Sequence, residues 1–125
     1  MLASSTATVL VGTTKPEIAK AFYGETLGLK FLHEDQFAAV FETKNLKIRV
    51  SKTPAVVPAP YAILAFGVSD MEKAVDALTA KGVVFARFGF LPQDAKGIWS
   101  APDGTKVAWF HDPELNMLSL VQAAN

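Results

Sequence analysis

The chain contains no cysteine. That absence excludes a disulfide framework, thiolate zinc sites and cysteine nucleophiles, and it leaves the redox compartment open. An excess of either charge is also missing, because twelve Lys and Arg balance twelve Asp and Glu and no local Lys/Arg run occurs. Without a positive field there is nothing to draw in a phosphate backbone or an anionic bilayer, so neither nucleic acid nor membrane is an expected partner. No apolar run approaches the ~20 residues that span a bilayer. Met1 to Lys15 place no cationic segment ahead of an apolar stretch, and a cytoplasmic location is expected. Charged residues make up only 19% while half the residues are apolar, a composition that folds. At 125 residues the chain has the size of one domain.

What is present is a repeat. Thr8-Val9-Leu10-Val11-Gly12-Thr13 is apolar and β-branched, and it runs into Thr14-Lys15-Pro16-Glu17, where Thr14 is a helix cap, Glu17 completes a capping box and Pro16 is tolerated in the first turn. Ile63-Leu64-Ala65-Phe66-Gly67-Val68 followed by Ser69-Asp70-Met71-Glu72 restates the plan 55 residues later. Each box opens an amphipathic helix, with Ile18, Ala21, Phe22 and Glu25 on one side of the first and Met71, Val75 and Leu78 on one side of the second. Gly24 or Gly28 and then Gly82 offer left-handed C-terminal stops.

After each helix the period changes from 3.6 to 2, which predicts strands. In the first half Leu29/Phe31, Phe37/Ala39/Phe41 and Leu46/Ile48/Val50 alternate, separated by the polar turns His33-Glu34-Asp35 and Thr43-Lys44-Asn45. In the second half the strands are Val83 to Phe88, Gly97 to Ser100, Thr105 to Phe110 and Met117 to Val121, with an insertion and a Pro102/Gly104 turn that makes Ile98 to Phe110 a hairpin. The chain therefore reads as α+β, two tandem βαβββ modules over residues 5–53 and 61–123. They are joined by a linker, 54–60, whose prolines Pro54, Pro58 and Pro60 forbid helix. One helix leaves the second face of each four-stranded sheet open, so the modules are expected to pair those faces around a cleft, within one chain or across a homodimer. The cleft is the expected binding site.

Ala21-Phe22-Tyr23 and Leu27-Gly28-Leu29 after the first box, Phe66-Gly67-Val68-Ser69-Asp70 before the second helix, and Trp109-Phe110-His111-Asp112-Pro113 near the end together resemble the vicinal oxygen chelate superfamily. That superfamily includes glyoxalase I, extradiol dioxygenases, fosfomycin-resistance enzymes and bleomycin-resistance proteins. The resemblance implies a divalent metal held by His, Glu or Gln from the first and last strands of each module. In this chain those positions fall on Thr8, on Lys47 or Arg49, on Ile63 and on Ser119. None is a usual ligand, and a cation there repels a second cation. The Asp112 to Asn116 turn departs from the family pattern, since Leu115 is expected to resist a positive φ.

Other motifs read as structural. His33-Glu34-Asp35 is a polar turn whose neighbouring side chains point in opposite directions. His111 at a strand end has no visible orienting partner, Ser69 is a cap, and the Gly24 to Lys30 run lacks phosphate-loop spacing. No catalytic residue, metal or cofactor is expected. By period 2 from Thr8 and Ile63, the residues Leu10, Ala65 and Gly67 face the cleft, while Val9, Val11, Leu64 and Phe66 face the helices. The expected ligand-binding set is Thr8, Leu10, Lys47, Arg49, Ile63, Trp99, Trp109, Phe110 and Ser119, with the aromatics supplying area and Arg49 or Lys47 anchoring an anionic group. The expected function is metal-free binding of a small organic molecule, and the alternative is a glyoxalase- or dioxygenase-like enzyme.

Overall fold

A computed structural model describes residues 1–124, arranged in two compact units, Met1–Val57 and the segment from Pro58 on. In the first unit a 3-10 turn, Leu2–Ser4, precedes strand β1 (Thr8–Thr13), helix α1 (Pro16–Ala21), a π-helical turn (Phe22–Thr26), and strands β2 (Lys30–Glu34), β3 (Ala38–Glu42) and β4 (Lys47–Lys52). The second unit has β5 (Ala62–Gly67), helix α2 (Met71–Ala80), β6 (Trp99–Ser100), β7 (Lys106–His111) and β8 (Met117–Gln122). The sheets have matching orders, β1-β4-β3-β2 and β5-β8-β7-β6, each with one parallel pair. The α+β class and the repeated plan thus stand, with no closed barrel.

Each unit has its core between helix and sheet. In the first, Val11, Thr13, Ala39, Phe41, Ile48 and Val50 are buried along with Ala19 and Tyr23, and α1 packs on β3 and β4. The buried helical pair is therefore Ala19/Tyr23, four residues apart, and not the expected stripe of Ile18, Ala21 and Phe22; Ile18 is 54% exposed. Phe22 instead sets its ring edge-on against Tyr23, centroids 5.2 Å apart. The stripe shifts because α1 is only six residues long and widens at once into the π turn, so its apolar positions do not repeat at the α period. In the second unit Met71 and Val75 are buried as the spacing predicts.

The helix starts lie one residue later than the capping boxes suggest. Lys15 is the first N-cap and makes no side-chain cap bond; the Thr13 hydroxyl accepts the Lys15 N–H at 3.0 Å. With Pro16 at the first helical position, one N–H that a cap would serve does not exist. Asp70, not Ser69, caps α2, its Oδ1 accepting the Lys73 N–H at 3.1 Å while Gln122 Oε1 accepts the Met71 N–H at 2.7 Å. Gly28 (φ 73°) and Gly82 (φ 95°) supply the two left-handed turns after the helices.

Two strand expectations change. Phe37 lies before β3 and is 61% exposed, because Asp35 Oδ1 caps the turn by accepting the N–H groups of Phe37 and Ala38. Val83 to Phe88 forms no strand, and one bond, Ala86 N–H to Trp109 O at 2.8 Å, ties it to β7. The Gln93 side chain competes successfully for this segment's backbone: its Oε1 accepts the Phe88 N–H, and its Nε2 donates to Ala86 O and Gly97 O. The hairpin of β6 and β7 forms as expected, turning through Gly104 at φ 93°. Leu115 does take a positive φ, 68°, against expectation. Buried Asp112 enforces it, with Oδ1 accepting the N–H groups of Glu114 and Asn116 and Oδ2 accepting the Asn116 amide, each at 2.9 Å.

Candidate functional site

Most of the sequence-derived site residues fall on the unhelixed face of each sheet. In the first unit the parallel pairing puts Thr8 beside Lys47 and Leu10 beside Arg49. The antiparallel pairing with β3 adds Val40 beside Arg49 and Glu42 beside Lys47. Directly paired residues share a face. Leu10 is 68% exposed here, while Val9, Val11, Ile48 and Val50 carry the opposite parity. Arg49 is half-buried, and neither it nor Lys47 makes a side-chain hydrogen bond or ion pair among the described residues. At the Lys47 end the face opens into a cavity of about 470 Å³, which Thr8 and Lys47 line together with Ser5, Thr43, Lys44 and Asn45.

The His33-Glu34-Asp35 run is split by the sheet. Glu34 pairs with Ala39 on the helix side, where Lys20 and Lys52 hold its carboxylate at 3.0 and 3.2 Å. Those bonds, Lys20 first, keep the Glu34 carboxyl below the usual carboxylate range, and the same contact raises Lys20. A depressed carboxyl stabilises the fold fully above the ordinary range and loses that contribution as pH falls through its folded value. Wild type is therefore expected to melt higher than Glu34→Gln at pH 7. Thermal melts recorded down to pH 2.5 or so should show that gap shrinking below about pH 4.3; a gap independent of pH would exclude this account. Asp35 is also held low, first by the N–H groups of Phe37 and Ala38 and then by the nearby charges of Arg49 and His33.

In the second unit Ala65, Ser119 and Trp109 form one row across the open face, and Gly67, Val121, Val107 and Trp99 form the next. The Trp99 and Trp109 rings lie 6.2 Å apart. The sequence reading missed two further members: Phe88 stands edge-on to Trp109 at 5.3 Å, and Phe90, 82% exposed, lies 5.8 Å from Phe88. Only their aromatic character signalled them, because the Gln93 bonds that position them are not periodic. Neither indole N–H donates a hydrogen bond among the described residues. Ser119 is buried, its hydroxyl donating to Leu64 O at 3.5 Å. Ile63 is the extra residue of a bulge between Ala62 and Leu64 and is half-buried. His111 is exposed at the end of β7.

Phe110 does not belong with this set. It pairs with Leu118, has no exposed surface, and packs its ring on Phe85 at 5.6 Å on the helix side of the sheet. Adjacent residues of a strand cannot share a face, so Trp109 on the open side commits Phe110 to the core.

The residues at the expected metal positions are poor in metal donors. Thr8, Lys47, Arg49, Ile63 and Ser119 include no carboxylate, imidazole or thiolate. Among the described residues no group of three or more His, Asp or Glu is placed to hold a metal ion. No helix is long and apolar enough to cross a membrane.

The sequence profile of the Glyoxalase/Bleomycin resistance protein/Dioxygenase superfamily matches residues 6–117. No curated protein sequence matches the chain. Similar solved structures include an antibiotic binding protein from a Streptomyces species, 21% identical with a TM-score of 0.74 over 99% of both chains. A genomically encoded fosfomycin resistance protein from Listeria monocytogenes is 13% identical, with a TM-score of 0.76 over 97% of this chain and 94% of that one. A lactoylglutathione lyase from Agrobacterium tumefaciens is 12% identical, with a TM-score of 0.73 over 96% and 94%. At these identities the likeness is one of fold.

Proposed function

The chain belongs to the Glyoxalase/Bleomycin resistance protein/Dioxygenase superfamily, and from that premise we propose that it binds a small organic molecule without a metal ion. The observation that carries this reading is the donor chemistry of the open faces. Where the family's metal enzymes need lone pairs, this chain has two hydroxyls, an alkyl group and two cations. The divalent metal does not fit these residues, and no chemical step is routed through one. What the faces do offer is aromatic area from Phe88, Trp99 and Trp109 and a half-buried guanidinium, Arg49, suited to an anionic group. That a structural neighbour is described as an antibiotic binding protein agrees with such a role. The reading includes a homodimer, which light scattering of the purified chain tests.

The decisive measurement combines elemental analysis with a ligand titration. The purified chain is expected to hold no stoichiometric Fe, Zn, Ni or Mn. Naphthalene-2-acetate is expected to quench tryptophan fluorescence and raise the melting temperature, and Arg49→Ala to weaken that binding about tenfold, in line with a hydrogen bond to a charged group. Stoichiometric metal together with an activity lost on chelation would replace this reading with the enzymatic one.

A further inference from the structure

Strand β2 contains an extra residue. Phe31 pairs with Phe41 on the helix side, and regular alternation would put His33 on that side too; the register shift between them instead sets His33 opposite Val40, on the open face. The shift brings His33 nothing in packing, since it is exposed. It does complete a row across the sheet, His33, Val40, Arg49, Leu10. Strand spacing places the His33 and Arg49 backbones about 10 Å apart across Val40, and Lys47 stands on the same face about 7 Å along β4. None of the three makes a side-chain hydrogen bond or ion pair among the described residues. Asp35, which feels the charges of Arg49 and His33, has Oδ1 committed to two backbone N–H groups, and Glu42, beside Lys47, is paired with Lys30 at 3.6 Å.

We propose that His33, Arg49 and Lys47 form a subsite for the phosphate group of an organic phosphate monoester, a deepening that rests on the small-molecule binding reading above. Three donor groups on one sheet face, from two strands, suit three acceptor oxygens and a charge of about −1.5 to −2, whereas a carboxylate offers two oxygens and one charge. Arg49 takes two oxygens side by side, and His33 and Lys47 close from either side. Exposed Leu10 beside Arg49 supplies apolar contact for the organic part.

The test uses phenyl phosphate, benzoate and inorganic phosphate as probes, titrated into the full chain at low salt and followed by NMR. Phenyl phosphate is expected to bind about tenfold tighter than benzoate, and His33→Ala to weaken phenyl phosphate about tenfold while leaving benzoate unchanged. The imidazole resonances of His33, and not those of His111, should move on binding. His33 is exposed, so its replacement leaves the core intact, and an unchanged near-UV spectrum of the variant verifies this. Equal affinity for phenyl phosphate and benzoate, or indifference to His33→Ala, would overturn the phosphate subsite while binding that still depends on Arg49 keeps the broader reading. Inorganic phosphate binding as tightly as phenyl phosphate would overturn the organic part. Failure of every probe, naphthalene-2-acetate included, would remove both.

Discussion

Phe110→Ala is expected to lower the unfolding free energy by about 4 kcal/mol, the cost of a large cavity in a packed core, and to leave ligand binding by the folded fraction unchanged. The ring has no exposed surface, meets Phe85 edge-on and lies opposite Leu118, with Ala108 and Leu120 buried on the same side. Trp109, one residue earlier, is the contrasting case. It is half-buried on the open face among Trp99 and Phe88, so Trp109→Ala should cost far less stability and should abolish binding of an aromatic ligand. Urea denaturation of the two variants beside a fluorescence titration separates the roles. A small stability loss for Phe110→Ala with loss of ligand would mean that β7 presents the opposite face.

Removal of the Asp112 carboxylate should be nearly as costly, about 3 kcal/mol. Three hydrogen bonds to this buried side chain build the turn into β8, and its loss strands the backbone and amide donors of buried Asn116 and frees the Glu114 N–H. It also leaves Leu115 at φ 68° without the bonds that hold it there, a conformation worth roughly 1–2 kcal/mol of strain for a residue with a side chain. Asp112→Asn, which keeps an acceptor for the two backbone N–H groups, should recover more than half of the loss in chemical denaturation. A neutral Asp112→Ala would show that the turn forms from its backbone bonds alone.

These two residues also mark where local reading runs out. A leucine by itself avoids positive φ, yet a buried carboxylate that accepts three hydrogen bonds overrides that preference at Leu115. The first capping box failed similarly: Thr13, Lys15 and Pro16 settle the helix start, and Thr14 is not its N-cap. Aromatic character alone points Phe110 to the ligand surface, although the alternation that places Val11 and Leu64 against the helices applies equally to β7.

What the linear chain determined is everything that repeats or is missing. The 55-residue restatement of strand and helix and the change of period after the first helix are local patterns, and local patterns survive folding because each follows from backbone geometry over a few residues. Tertiary structure alone decided the rest. The extra residue in β2 that turns His33 to the open face, the bulge at Ile63 and the Gln93 bonds that hold Phe88 beside Trp109 depend on partners distant in sequence or on register between strands. A one-residue change of register costs the strand little locally and yet moves a side chain from one solvent to another, so only the pairing itself reveals which face it takes.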